Sequence, residues 1–245
     1  MKNLNAELYA NELLELWAKK NHLLIAEDKL LSKYLVDKTK KVLDVGTGGG
    51  RLAFYLEKKG FVNISAFDIV PKMIDHATRV AKETNSKIDF KVADAVNIPE
   101  YGSDEFDYAL YLQQVLNFIP NDQGFKASLK ESYRITKKGG LAIFAFLDYD
   151  SRFFNRPFSA TLNILRKIRE ENVSMQRLPW IKINNKINWN LFNRDQALSY
   201  WVKKDAILAD LKNIGYTILE VKNANQFVNT KTKSRKGMLY VVCKK

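Results

Sequence analysis

The run Lys41-Val42-Leu43-Asp44-Val45 followed at once by Gly46-Thr47-Gly48-Gly49-Gly50 constrains this chain most. A short apolar segment of this length reads as a buried strand. The glycines after it let the backbone turn tightly and come close to a ligand. Arg51 to Lys59 then carries a helical pattern that stops at Gly60. A strand running through a glycine loop into a helix is the opening unit of an open α/β sheet with a ligand at the sheet's carboxyl edge.

The rest of the chain repeats that alternation. Asn63–Asp68, Ile88–Val92, Phe106–Tyr111 and 141–147 read as further strands, with helices between them. Pro71 marks a helix start, and Met73, Ile74, Ala77, Val80 and Ala81 give that helix an inner face. A helix over 122–136 ends at a Lys137-Lys138-Gly139-Gly140 turn. This order predicts a doubly wound parallel sheet. Residues 4–20 and 24–36 predict amphipathic helices from apolar spacings of three and four. The pattern resumes after 202 as a helix over 203–214, then strands at Tyr216–Lys222 and Gly237–Cys243, with a polar, basic loop at 223–236 between them. The implied organisation is an N-terminal helical cap (1–40), a core (41–147), an inserted lid (148–202) and a C-terminal return to the core (203–245).

Three acids fall at strand ends. Asp44 precedes the glycine loop, Asp68 closes the second strand 18 residues past Gly50, and Asp94 follows the third. Helix capping explains any one of them, but three together at the carboxyl edge point to a bound ligand. An acid at the end of the second strand is placed to accept hydrogen bonds from ribose hydroxyls. The segment 48–53 also satisfies a permissive G-x-G-x-x-A nicotinamide fingerprint, so the glycines alone do not decide the ligand.

At these residues the chain resembles the class I S-adenosylmethionine (AdoMet)-dependent methyltransferases. Val42 to Gly50 looks like that family's first motif, Asp-x-Gly-x-Gly-x-Gly, and Phe106-Asp107-Tyr108-Ala109-Leu110 like its fourth-strand motif. The resemblance implies a Rossmann-like, seven-stranded, mostly parallel sheet whose last strand is antiparallel. It implies AdoMet as cofactor, with Asp44, Gly46, Thr47, Gly48 and Gly50 holding its methionine end. Asp68 would take the ribose hydroxyls, Ile69 the adenine face, Asp94 the adenine amino group, and the Ala95 amide the ring. Tyr111 would line the cleft near the methyl. Asp44 and the Ala93-Asp94-Ala95 stretch favour AdoMet over a nicotinamide.

Methyl transfer from a sulfonium needs alignment more than acid–base work. Where a weakly acidic acceptor needs a base, the candidates are His22, between the first two helices, and Asp148 and Asp150, after the fifth strand. Gln113 and Gln114 follow the fourth strand and are candidate acceptor contacts, as are Trp180 and Trp189 of the insertion. Those tryptophans bracket a hairpin turning at Asn184-Asn185. The insertion also holds Phe153, Phe154, Phe158, Phe192 and Tyr200 among the basic residues Arg152, Arg156, Arg166, Arg169, Arg177 and Lys182. Leu112-Gln113-Gln114-Val115 replaces the Asn/Asp-Pro-Pro-Tyr stretch of amino-methylating members, and the single cysteine, Cys243, is misplaced for cytosine methylation. No acid–histidine cluster suggests a metal.

Net charge is +13, but the excess is +1 over 1–40, +1 over 41–147 and +11 over 148–245. The charge therefore bears on the acceptor rather than on the cofactor. A small molecule methylated at oxygen or nitrogen, anionic or not, is the expected acceptor. RNA bound by the basic C-terminal half is an alternative, and a non-catalytic AdoMet-binding module is another. The longest apolar stretch, 141–147, is too short to span a bilayer. One cysteine and no secretory leader pattern predict a reduced, cytoplasmic compartment.

Overall fold

The computed structural model describes residues 3–18, 22–151, 156–183, 186–227 and 237–245. Seven strands form one sheet in the order β3-β2-β1-β4-β5-β11-β10. They are β1 (Lys41–Val45), β2 (Asn63–Asp68), β3 (Asp89–Val92), β4 (Phe106–Tyr111), β5 (Thr136–Leu147), β10 (Thr217–Asn223) and β11 (Met238–Lys244). Strand β11 lies between β5 and β10 and is antiparallel to both, while the β1–β2, β1–β4, β2–β3 and β4–β5 pairings are parallel. The expected doubly wound sheet with an antiparallel last strand is thus what the chain forms.

Both faces of the sheet are covered, so its central strands are apolar at consecutive positions rather than alternate ones. Leu43, Phe144, Phe146, Val241 and Cys243 point to one core, with Leu129, Ile207 and Leu211 from α6 (Asp122–Ile135) and α8 (Lys204–Ile214). Val42, Ile143, Ala145, Tyr240 and Val242 point to the other, with Leu30 and Leu31 from α3 (Ile25–Tyr34) and Leu52 and Leu56 from α4 (Arg51–Lys58). The two-residue period of a strand divides the side chains between these cores.

Helix boundaries follow local chemistry. Helix α5 (Pro71–Thr84) starts with proline at its first turn and stops at Asn85, which is left-handed at φ 54°. Asn121 caps α6 by accepting from the Gly124 amide at 2.7 Å. Helix α4 begins at Gly50, whose φ of 87° suits glycine.

Three expectations shift. The predicted 4–20 helix is two helices, α1 (Leu4–Asn11) and α2 (Leu14–Ala18). Residues 137–140 are part of β5 rather than a separate turn, because the Gly139 amide donates to the Lys245 carbonyl (2.8 Å) and the Lys245 amide to that of Gly140 (3.1 Å). The excess residues are absorbed as an irregularity between the Phe106/Thr136 and Tyr108/Leu141 pairs. At the start of the predicted 223–236 loop, Asn223 completes β10 and 224–227 form a 3-10 turn.

The segment between β5 and α8 contributes α7 (Arg156–Ile168), a ribbon of β6 (Arg177–Pro179) and β9 (Leu198–Tyr200), and a hairpin of β7 (Lys182–Ile183) and β8 (Lys186–Ile187). The predicted Asn184-Asn185 turn, Arg152, Phe153, Phe154 and the 228–236 part of the basic loop lie outside the described residues. Among the described residues no helix is long and apolar enough to cross a membrane.

One buried ion pair joins the first helices to the glycine loop. Arg51 lies against Glu27 of α3, with Nη1 2.8 Å from Oε2 and Nη2 3.3 Å from Oε1. Their side chains are 6% and 0% exposed. Removing one partner strands a charge in the core, so Glu27→Ala is expected to lose about 3–5 kcal/mol in urea unfolding, far beyond a surface ion pair.

Candidate active site

The site lies at the carboxyl ends of β1, β2 and β4, where the chain crosses from one half of the sheet to the other and open α/β sheets bind ligands. A cleft of about 370 Å³ opens there, and its walls include Gly46, Gly48, Asp68, Ile69, Asp94 and Ala95. A smaller cavity of about 40 Å³ continues behind the loop, against Asp44, Thr47, Arg51 and Gln113.

The glycine loop is shaped by its own hydrogen bonds. The Gly48 amide donates to Asp68 Oδ2 at 2.9 Å, and the Val70 amide to Oδ1 at 2.9 Å. Gly46 and Gly48 have φ of 66° and 56°, which favour glycine. A Cβ on Gly48 would project into open space, so a ligand can approach the backbone there; a Cβ on Gly49 would strike the Ala18 carbonyl of α2. Gly50 ends the loop but does not line the cleft.

Burial pushes the Asp68 carboxyl up, opposed by hydrogen bonds from the Val70, Gly48 and Ile69 amides. Asp44 accepts from Thr47 Oγ1 at 2.6 Å. Burial lifts its pKa to about 7, against that hydrogen bond and the nearby Arg51 charge. Asp94 is exposed and accepts from the Val96 amide at 3.0 Å.

These features fit AdoMet. The acid on β2 faces the cleft with its outer lone pairs available to hydroxyls. Open space over Gly48 admits a ligand against the loop, and Asp44 is an acid placed for an ammonium. Cofactor of this kind supplies an activated methyl group when bound.

Other sequence candidates are dispersed. Tyr111 does not line the cleft: it is 1% exposed and stacks on Phe144 in the core, 5.0 Å between ring centroids. An alternating strand places that side chain inward, and burial holds its phenol well above the ordinary range. Gln113 lines both cavities, at φ 54°, and hydrogen-bonds Glu27. Gln114 turns instead to the Met238 sulfur. His22 is exposed, and its carbonyl accepts from Arg51 at 3.1 Å. Asp148 is buried beside β10, accepting from Asn223 Nδ2 at 3.0 Å and the Asp150 amide at 3.2 Å; Asp150 is exposed. None of these three candidate bases lines the cleft. Trp180 stacks on the cleft residue Phe118 at 5.2 Å and 24°, whereas Trp189 is 86% exposed.

The cap residues were not singled out in the sequence. Asn5 and Tyr9 of α1 and Trp17 of α2 line the cleft. Tyr9 packs edge-on against Phe118 at 5.5 Å and against Trp180 at 6.1 Å. Burial and the Asp68 charge keep its phenol protonated. Helical spacing marks these positions only as an apolar face, and nothing local distinguishes a face that covers a cleft from one that packs on a core.

Fold and site together resemble those of the class I AdoMet-dependent methyltransferases. Residues 42–140 match the family model described as a methyltransferase domain. A ubiquinone biosynthesis O-methyltransferase of Rickettsia akari is 32% identical over 108 residues, 44% of this chain and 40% of that protein. The chain thus spans less than half the length of this relative. Among solved structures, a SAM-dependent methyltransferase of Methanosarcina mazei matches 88% of this chain and 96% of its own at TM-score 0.68 and 17% identity. The 1,6-didemethyltoxoflavin-N1-methyltransferase of Burkholderia thailandensis, solved with its substrate and S-adenosylhomocysteine, matches 99% and 87% at TM-score 0.64 and 14% identity. At these identities the structural likeness is one of fold.

The Asp44 shift sets a pH signature. Its pKa in the folded chain exceeds the unfolded value near 4, so folding takes up a proton and stability falls as the pH rises towards about 7. An ammonium beside it favours the carboxylate, so S-adenosylhomocysteine affinity should rise from pH 6 to pH 8. Calorimetry should show that rise flattened in Asp44→Asn, and affinity reduced at least about tenfold in Asp68→Ala, which loses charge-assisted hydrogen bonds.

Proposed function

We propose that the chain is an enzyme that transfers a methyl group from AdoMet to oxygen or nitrogen of an uncharged small molecule. The observation that carries this reading is the composition of the cleft wall. Beyond the cofactor edge it is built from Tyr9, Trp17, Val115, Phe118, Ile119 and Pro120. No Lys or Arg among the described residues lines the larger cleft. Such a wall favours an apolar, flat acceptor over an anionic one. Among the described residues the basic side chains of the C-terminal part lie away from this cleft, which weakens the case for RNA reaching the methyl.

Asp44, Gly46, Thr47, Gly48, Asp68, Ile69, Asp94 and Ala95 are assigned to the cofactor, whereas Gly50 lines neither cavity. Gln113 is held at the junction of the two cavities, where the methionine end and the acceptor meet. With no His or Lys on the described cleft wall, the protein's work is alignment of the acceptor and exclusion of water. His22, Asp148 and Asp150 lose their support as bases because none reaches the cleft. Trp180 keeps its support through Phe118, and Trp189 and Gln114 do not. The 148–202 segment acts as a lid through that stack and through its anchors: Arg177 donates to Asp122 (2.7 Å) and the Ile119 carbonyl (2.6 Å), and Asn117 donates to the Tyr200 carbonyl (2.6 Å).

The relatives named for ubiquinone biosynthesis O-methylation agree with a flat organic acceptor. Residues 148–202 lie outside the matched methyltransferase-domain segment, so the acceptor itself is read from the cleft.

A screen of labelled methyl transfer from AdoMet to neutral aromatic alcohols and amines tests the reading. Turnover is expected, and it should vanish in Asp68→Ala. Trp180→Ala removes the ring backing Phe118 and should raise KM about three- to tenfold with kcat little changed. Transfer to RNA alone would overturn the small-molecule assignment.

A further inference from the structure

We propose that the outer face of the inserted segment is a docking surface for a bilayer that carries anionic phospholipids. Its exposed apolar residues line neither cavity, so this face is independent of the methyl-transfer reading.

Helix α7 is apolar on two sides. Leu162 and Arg166 are buried, and Arg166 is tied inward by donating to the Arg177 carbonyl at 2.6 Å. Ile164 and Ile168 each follow two residues later, about 200° further round the helix. They are 61% and 72% exposed. Pro157 and Ala160, also exposed, fall on the same stripe at helical spacing. Phe192 adjoins this helix: the Arg169 guanidinium donates to its carbonyl at 2.6 Å, and its ring lies 6.1 Å from that of Phe158. Trp189, almost fully exposed, sits three residues earlier in a turn that the Leu191 amide closes onto the Asn188 carbonyl at 3.3 Å. Ile187, half exposed, ends β8 just before that turn. Among the described residues, six of the thirteen exposed large apolar side chains fall between 164 and 192. That concentration marks an interaction surface rather than scattered apolar residues.

Charge selects the occupant. Over 156–198 the chain carries eight Lys and Arg against three Asp and Glu. Lys167 and Arg169 flank Ile168 on either side of the helical stripe, Lys182 and Lys186 stand on the hairpin with Ile187, and Arg194 follows Phe192. Of the acids, Glu171 is already shared among Arg166, Arg169 and Arg194 at 3.7–3.8 Å. Apolar side chains rimmed by cations match a lipid surface, where the first enter the acyl boundary and the second meet anionic headgroups. An exposed tryptophan suits the headgroup level, where an amphipathic ring is at home. RNA would satisfy the charge, but Ile164 and Ile168 offer no ring on which a base stacks. A second copy docked about a two-fold axis would set the same basic rim against itself.

Flotation of the full chain with lipid vesicles decides this. Phosphatidylcholine vesicles containing about one third phosphatidylglycerol should bind it at least about tenfold more tightly than phosphatidylcholine alone, at about 0.1 M salt. Ile164→Asp and Ile168→Asp should each weaken binding to the mixed vesicles at least about fivefold, because each withdraws an apolar side chain and adds a charge of the membrane's own sign. Lys167→Glu should narrow the ratio between the two vesicle types. Circular dichroism should be unchanged in all three, since the side chains replaced are exposed. Binding to neither vesicle, equal binding to both, or binding unchanged in both isoleucine variants overturns the proposal. An RNA oligonucleotide that displaces the chain from the mixed vesicles overturns it in favour of RNA. A wild-type dimer that Ile168→Asp splits in analytical ultracentrifugation overturns it in favour of a second copy. If the isoleucine variants do not fold, the wild-type ratio and Lys167→Glu decide.

Discussion

The Glu27–Arg51 pair is the joint at which the parts of the site meet. Arg51 is the first residue of α4, directly after the glycine loop, and it also holds the His22 carbonyl. Glu27 accepts from the Leu24 amide at 2.9 Å and from Gln113, which leaves β4. Two buried charges therefore fix the distance between the N-terminal helices, the loop after β1 and the exit of β4. Burying them costs desolvation that hydrophobic residues would not. What the pair provides is a defined geometry, with the guanidinium on the wall of the small cavity behind the loop.

From that joint the cleft takes its two-sided character. Its sheet edge carries Asp68 and Asp94 beside the uncovered backbone of Gly48, a chemistry suited to a ribose and a charged amino-acid moiety. Its other side is aromatic, built from the cap and the loop after β4, and backed by Trp180 of the insertion. The two chemistries meet at Gln113. On the proposed reading, catalysis by alignment would use this division, with one half for the methyl donor and the other for the acceptor.

Much of the sheet-edge half of the cleft was legible because its signals are local. A buried parallel strand is a run of apolar residues, a close approach needs glycine, and an acid at a strand end stays at the sheet edge whatever the packing. Asp44, Gly46, Gly48, Asp68, Ile69, Asp94 and Ala95 all reach the two cavities for that reason. Tyr111 fails by one step of the two-residue strand period, which turns it into the core. His22, Asp148 and Asp150 were placed by their distance along the chain from the sheet edge, and chain proximity does not fix where a loop residue points.

The sequence by itself determined the order of strands and helices, the glycine loop and the strand-end acids, because each depends on interactions within a few residues. It also determined that the charge excess sits after residue 147. Only the tertiary structure decided what closes the cleft. Asn5 comes to Phe118, and Tyr9 to both Phe118 and Trp180, from far along the chain, and these partners are known only once α1 is docked. The same docking leaves Asn5 Oδ1 without a donor and keeps lysine and arginine off the described wall of the larger cleft. Long-range packing, not local pattern, sets the aromatic side of the cleft, because an apolar helix face carries no record of what it will cover.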